Sequence, residues 1–392
     1  MIKREAEKTI HNLLRGFPVV TITGPRQSGK TTLAKAVFAD RPYASLEEPD
    51  VRLMARGDPR SFLERYPDGA VLDEVQRCPE LLSYIQSIVD ADGRMGLFIL
   101  TGSQHFGLMS DITQSLAGRT AFLELLPFSL TELEKSPRKP ESIDMMLFSG
   151  SYPPLYDRDV STRSWFGAYV TAYLERDVRQ VLKVQELETF QRFVRLCAGR
   201  TGQLLNYSSI AAECGITHNT AKAWISVLEA SYILFQLRPH HVNFNKRLVK
   251  TSKLYFYDVG LVSWLLGIQT PDQMVTHPLR GHIFETFVIG ELVKSFLNRA
   301  ERPNLYFWRD SNGVEVDVLI EHGRRLIPVE IKSGKTVASD FFSGLERWQS
   351  LAGNLAINPA LIYGGSENYR HKDISVIGWR DIKAKKLSEL ME

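Results

Sequence analysis

Cysteine is scarce: the 392 residues hold three, Cys78, Cys197 and Cys214, with no C-x-x-C pair among them. That excludes a cysteine-built zinc site and a disulfide framework, and it suits a reducing compartment. No apolar run approaches the roughly 20 residues that a membrane-spanning helix needs. The opening stretch MIKREAEKTIHNLLRGF carries charges where a secretory leader would carry an apolar core, so it reads as an amphipathic helix. The expectation is a cytoplasmic protein with no membrane partner. Charge of one sign is missing as well. With 48 basic and 45 acidic residues the formal net charge is +3, so any nucleic-acid surface must be a local patch. Internal repeats and low-complexity tracts are absent.

What is present is ample core material, 44% hydrophobic against 24% charged, in a length suited to two to four domains. The first third alternates short apolar strands with helical patterns, as a parallel α/β sheet does. PVVTITG (18–24), PYASL (42–46), GAVLDE (69–74) and MGLFILTGS (95–103) read as four strands, and AFLELLPFSLTEL as a last edge strand leading into a helix. Polar, proline-bearing KSPRKPES (135–142) reads as a surface connection, and residues 160–198 as helical. From about residue 278 the α/β texture returns.

GPRQSGKT (24–31) fits G-x-x-x-x-G-K-[ST] and lies between an apolar strand and the helix KTTLAKAVF. Such a loop binds nucleotide phosphates for definite reasons. Gly24 and Gly29 let the backbone turn its N–H groups toward the anion, and the following helix N-terminus adds a favourable partial charge. Pro25, Arg26, Gln27 and Ser28 form the wall of the loop, Lys30 is expected to reach the β- and γ-phosphates, and Thr31, with Thr32 beside it, to serve the Mg²⁺ of bound ATP. About 40 residues on, VLDE closes a strand with two carboxylates. Asp73 would complete the Mg²⁺ shell and Glu74 would orient or deprotonate the attacking water. A parallel sheet sets ILTGS (99–103) beside them, making Ser103, with Thr101 second, the candidate γ-phosphate sensor. Arg119 is the candidate cation supplied to a neighbouring subunit's phosphates, with an ordinary surface ion pair as the competing reading. Arg176 and Arg179 are further lid-borne candidates.

Between residues 190 and 253 nine Lys or Arg face two Glu. YSSIAAECG and HNTAKAWISVLEASY read as helix-turn-helix, with ILFQLRPHHVNFNKRL as a hairpin wing. DNA contacts would then fall to His218, Asn219, Thr220 and Lys222 at the start of the second helix, and to Lys246 and Arg247 in the wing. A module that packs against neighbouring subunits is the alternative.

Near the end, VEVDVLIEHGRRLIPVEIKSG forms a hairpin pattern. Glu330 and Lys332, two apart on a strand, share a face that Asp317 of the adjacent strand can meet. Two carboxylates can hold a divalent metal while a lysine steadies the attacking hydroxide, and Glu285 on the preceding helix is a third candidate ligand. This arrangement is similar to the PD-(D/E)xK nuclease superfamily, including archaeal Holliday-junction resolvases. The competing reading is a solvated charged face, or a retained fold with idle chemistry.

Taken together, GPRQSGKTTL, SLEEPD, LDEVQRCPEL, LTGSQ, SLAGRTAFLELLPFSL, YLERDVRQ, NFNKRLVKTSKLYFYDVGL and EVDVLIEHGRRLIPVEIKSG resemble AAA+-type ATPases joined to the domain of unknown function 4143. The resemblance implies an α/β fold: a P-loop AAA+ parallel-sheet core (1–134), a helical lid or linker (135–190), a winged helix (191–250) and a restriction-endonuclease-like PD-(D/E)xK domain (251–392). It also implies ATP hydrolysis. The expected function is an oligomeric ATPase, a ring such as a hexamer, that uses ATP and Mg²⁺ and acts on branched or junction DNA. A second divalent metal would sit in its C-terminal domain. The alternative is an ATP-dependent switch that assembles with a protein partner.

Overall fold

The computed structural model describes residues 2–103, 115–175, 187–241, 249–310 and 313–383. Arg176, Arg179, Lys246 and Arg247 lie outside them. The chain divides into two compact units, Met1–Phe128 with Phe296–Glu301, and Ser129–Ser295 with Arg302–Glu392.

The first unit is built on five parallel strands: β1 (Val19–Thr23), β2 (Tyr43–Ser45), β3 (Ala70–Asp73), β4 (Phe98–Thr101) and β5 (Thr120–Glu124). Their spatial order is β2-β3-β4-β1-β5, so the strand that leads into the glycine-rich loop lies between β4 and the edge strand β5. The continuous apolar runs follow from burial on both faces. Alternation along each strand sorts the side chains into two cores. Val20, Ile22, Val71, Ile99 and Leu123 join Ile10 of helix Ala6–Gly16 and Leu33 of helix Lys30–Val37 on one face. Val19, Leu72, Phe98 and Leu100 join Leu81, Leu82 and Ile85 of helix Leu81–Asp92 on the other. Each such side chain stabilises by about 1.5–3 kcal/mol when fully buried. Among the described residues no helix is long and apolar enough to cross a membrane.

The second unit begins with short helices and the pair Tyr207–Cys214 and His218–Ala230, joined by a turn whose Gly215 has φ +71°. A nine-stranded sheet follows. Its strands are β6 (Gln203–Leu204), β7 (Leu234–Pro239), β8 (Lys253–Phe256), β9 (Leu305–Arg309), β10 (Glu315–His322), β11 (Arg325–Lys332), β12 (Ala360–Tyr363), β13 (Tyr369–His371) and β14 (Ile374–Gly378). The order is β13-β14-β12-β11-β10-β9-β7-β8-β6. The family resemblance implies a domain boundary at residue 250. The backbone ladder runs through that point, because β8 pairs with β6 and β7, and β7 pairs in parallel with β9 at Arg238–Tyr306.

Helix Arg280–Leu297 is mostly buried and carries an internal ion pair, Lys294 Nζ to Glu291 Oε1 at 2.8 Å. The pair is fully engaged. Lys294 also donates to Ser151 Oγ (3.0 Å), and Glu291 Oε2 accepts the Leu130 N–H (2.7 Å). Ser151 N–H donates in turn to Asp258 (2.7 Å), the N-cap of helix Val259–Leu265. Removing one partner of such a pair strands the other charge in the interior. Lys294→Met should therefore cost about 3–5 kcal/mol in denaturant unfolding, and the apolar pair Lys294→Met/Glu291→Met should recover only part of it, because the Leu130 N–H then loses its acceptor.

Candidate functional site

The loop after β1 is shaped by steric necessity. Gly24 has φ +142°, and a Cβ there would lie 2.2 Å from the Leu125 carbonyl oxygen beyond β5. Gly29, at φ +93°, caps helix Lys30–Val37, whose free N–H groups open toward the loop. Gln27 also adopts a positive φ, 64°. Lys30 is buried and curls back over its own loop, donating to Gly24 O (3.0 Å) and Pro25 O (2.7 Å). Burial brings its ammonium down from the usual lysine range to about 8, against the opposing pull of Glu74 and Asp73. The Ser28 hydroxyl is buried without a hydrogen-bond partner among the described residues, and Arg26 is half-buried beside it. Thr32, one residue past Thr31, is exposed.

Thr31 Oγ1 lies 3.1 and 3.0 Å from the two Asp73 oxygens. Hydroxyl and carboxylate oxygens side by side are the hard donors that Mg²⁺ prefers, so these residues fit the ion that accompanies ATP. Asp73 also accepts from Tyr43 (2.7 Å) and from Thr101. Burial, then the neighbouring Asp73, keeps the Tyr43 phenol protonated well beyond its ordinary range. Glu74, next in sequence, has φ +56°, a conformation that costs a non-glycine residue of order 1–3 kcal/mol and that gathers at functional sites. Its carboxylate accepts from Ser103 Oγ at 3.2 Å, and Gln76 Nε2 reaches the same hydroxyl at 3.4 Å. Ser103 thus meets Glu74, and Thr101 meets Asp73.

Arg119 is elsewhere. It precedes β5, whose Thr120 pairs with Val19, so it stands at the opposite end of the sheet from the loop. The intervening strand of roughly 15 Å keeps it from the glycine-rich loop of the same chain. Its guanidinium grips Asp90 through Nε (2.5 Å) and Nη2 (2.8 Å).

Sequence reasoning misses two supports. Arg4, buried, donates to Ser28 O (2.6 Å) and Leu126 O (2.7 Å), and its guanidinium lies 5.0 Å over the Phe128 ring. Within a stretch that reads as a charged helix it carries no distinguishing signal. Tyr43 is equally silent until strand order sets β2 beside β3.

In the second unit Asp317, Glu330 and Glu285 converge, but with basic partners between them. The β10–β9 register slips between Val316 and Leu319, and this bulge carries Asp317. Asp317 Oδ2 accepts the Ile331 N–H at 2.8 Å, and Glu330 pairs with Lys332. Glu285 accepts from Lys253 (2.9 Å) and Tyr255 (2.5 Å), and Lys253 also pairs with Glu315. Burial, then Glu330 and Glu285, pushes the Asp317 carboxyl well above its usual range. Burial works in the same direction on Glu330. For Lys332, the nearby Asp317 and Glu330 outweigh burial and raise it. Among the described residues no group of three or more His, Cys, Asp or Glu is arranged to hold a metal ion.

His218 and Asn219 are exposed at the start of helix His218–Ala230, which Thr217 caps by accepting the Thr220 N–H (3.1 Å). Lys222 is exposed one turn on, and His218 Nδ1 lies 3.2 Å from Ser208 Oγ. Trp224 and Leu228 are buried on the far face. Two members of the basic stretch are not free for a ligand: Lys253 is interior and Arg200 pairs with Glu213.

Three family models match the chain: an AAA domain over residues 16–134, a domain of unknown function (DUF8612) over 140–272, and a domain of unknown function (DUF4143) over 280–382. Uncharacterized proteins of Mycobacterium tuberculosis and Mycobacterium bovis are each 30% identical over 337 residues, spanning 85% of this chain and 74% of the relative. Among solved structures, a Walker-type ATPase of Pyrococcus abyssi matches at 17% identity and a TM-score of 0.48, over 68% of this chain and 96% of that one. The Thermotoga maritima RuvB Holliday junction branch migration motor matches at 17% and 0.27, over 60% and 90%. Structural likenesses that loose carry no argument about activity.

The Lys30 environment sets a pH dependence. Below about 8 the free protein presents an ammonium to the phosphates; above it the amine is neutral and binding must take up a proton. ATP affinity, followed by fluorescent-nucleotide titration from pH 7 to 9.5, should hold steady to near pH 8 and then weaken by up to about tenfold per pH unit.

Proposed function

Because the chain belongs to the family of AAA+ ATPases joined to the domain of unknown function 4143, we propose that it hydrolyses ATP with Mg²⁺ at the loop of residues 24–31 and, as an oligomer, acts on DNA. The observation that carries the ATPase reading is the convergence of Lys30, Thr31, Asp73, Glu74 and Ser103 at the carboxyl ends of β1, β3 and β4. Ligands of α/β sheets bind in the crevice at such strand ends.

The loop N–H groups and the helix N-terminus bind the phosphate oxygens, and Lys30 exchanges its loop carbonyls for the β- and γ-phosphates. Thr31 and Asp73 would hold Mg²⁺, which would supply positive charge to offset that of the phosphates. Glu74 orients a water in line with the γ-phosphorus and accepts its proton. The new P–O bond forms as the bond to the β-phosphate oxygen breaks, releasing ADP and phosphate. Ser103, bonded to Glu74 at 3.2 Å, links the water-orienting group to the γ-phosphate position.

Catalytic use of Arg119 would require oligomerisation, and in the single chain it makes a surface ion pair with Asp90. Since it cannot reach its own loop, its use as a cation at a phosphate requires a second subunit in which it trades Asp90 for the γ-phosphate. The DNA reading rests on the basic stretch between 190 and 253 and on the exposed group His218, Asn219 and Lys222 at one helix start. A second reading, an ATP-gated switch that assembles with a protein partner, draws on the C-terminal carboxylates being paired with lysines.

Glu74→Gln should keep ATP binding and lose turnover by roughly 10²-fold or more, whereas Lys30→Ala should lose both. ATPase rates should rise when branched, duplex or single-stranded DNA is added. Rates indifferent to all three, with a nucleotide-dependent change of mass on adding a protein partner, would favour the switch over the DNA motor.

A further inference from the structure

Glu74 is held by three side chains, Thr101, Ser103 and Gln76. Its N–H donates to Thr101 Oγ1 at 3.3 Å, and its carboxylate oxygen Oε2 accepts from Ser103 Oγ at 3.2 Å. The same Oε2 accepts from the side-chain amide of Gln76, whose Nε2 stands 2.5 Å away. That nitrogen also lies 3.4 Å from Ser103 Oγ, so amide, hydroxyl and carboxylate meet at one point.

The local backbone brings Gln76 there. Strand β3 ends at Asp73, Glu74 turns into the left-handed region at φ +56°, and a single 3₁₀ turn, Val75–Arg77, follows. The Arg77 N–H closes that turn on the Glu74 carbonyl at 3.0 Å, while Val75 is anchored in the apolar core. Gln76 is thereby folded back beside the residue two places before it. Its amide is only half satisfied. The side chain is half-buried, yet its Oε1 is enclosed without a hydrogen-bond partner among the described residues. An unpaired buried acceptor costs free energy that a turn toward solvent would recover. An ionised carboxylate only accepts, so the amide nitrogen must face it and the oxygen must point away. The charge-assisted bond to Glu74 holds the side chain in that orientation.

The last torsion of a glutamate is broad, so a carboxylate without donors samples many directions. Here both donors fall on Oε2, and no group among the described residues donates to Oε1. We infer that Gln76 is a positioning residue for ATP hydrolysis: with Ser103 it pins Oε2 and leaves Oε1 as the oxygen that takes the proton. The inference rests on the reading of Glu74 as the water-orienting group. The water gives its proton to Oε1 as its oxygen bonds the γ-phosphorus, and the bridging oxygen departs with ADP. Gln76 exchanges no proton itself and acts through Glu74.

Single-turnover ATP hydrolysis and fluorescent-nucleotide binding by the full chain test this. Gln76→Met, close in size but without the amide, should bind ATP within about twofold of wild type and hydrolyse it at least about tenfold more slowly. In a Glu74→Gln background the same change should add less than about twofold, because nothing is left to position. A merely structural role would slow both backgrounds alike. Gln76→Glu sets a second carboxylate against Glu74, so the acidic limb of the rate–pH profile should move upward by about one unit or more. If Gln76→Met does not fold by circular dichroism, Gln76→Ala takes its place with the same readings. Unchanged or faster turnover in the folded variant, equal losses in both backgrounds, or an unmoved acidic limb overturns the inference while Glu74→Gln stays slow. Full turnover in Glu74→Gln overturns the reading of Glu74 itself, and the inference falls with it.

Discussion

The Asp73 carboxylate accepts hydrogen bonds from hydroxyls on three separate elements: Thr31 of the loop helix, Tyr43 of β2 and Thr101 of β4. The functional end of the first unit depends on that meeting point. It fixes the loop helix against the sheet, sets the end of β3, and leaves Glu74 to turn into the left-handed region directly after it. A carboxylate so surrounded is held in place by neutral hydroxyl donors. The strain at Glu74 is sustained because its neighbours on both sides are held: Asp73 by the hydroxyls, and Val75 by the apolar core under helix Leu81–Asp92.

Much of this end was legible in the sequence, because the information is local. The glycines, Lys30 and Thr31 lie in eight consecutive residues between a strand and a helix, and Asp73-Glu74 closes an apolar run. Ser103 was within reach for a different reason: parallel strands align their carboxyl ends, so polar residues that follow two neighbouring strands must meet. Arg4 and Tyr43 were not legible. What distinguishes Arg4 is the position of the Ser28 and Leu126 carbonyls, and the latter lies 122 residues away along the chain. Strand order decides such meetings, and periodicity does not encode strand order.

The C-terminal cluster illustrates the same limit more sharply. The hairpin, the facing of Glu330 and Lys332, and the helix bearing Glu285 all follow from alternation and length. Two features do not. The bulge that carries Asp317 is a slip of register between β10 and β9, and Lys253 arrives from a strand whose place in the sheet depends on the pairing of β7 with β9. Lys253 counts as one more surface charge in a basic stretch until the ladder turns it inward. The two units thus handle acidic residues in opposite ways. One surrounds a carboxylate with neutral donors, and the other pairs its carboxylates with buried or half-buried cations.

The contact between Gly24 and Leu125 has a mechanical meaning. With no side chain between the glycine and that carbonyl, and with Arg4 bonded to Ser28 and Leu126 together, the loop and the carboxyl end of β5 are fastened at two points. A β-strand is nearly inextensible along its axis, so β5 acts as a tie rod across the sheet. Arg119 precedes the far end of that strand, so one strand carries both the anchorage of the loop and the backbone of that arginine.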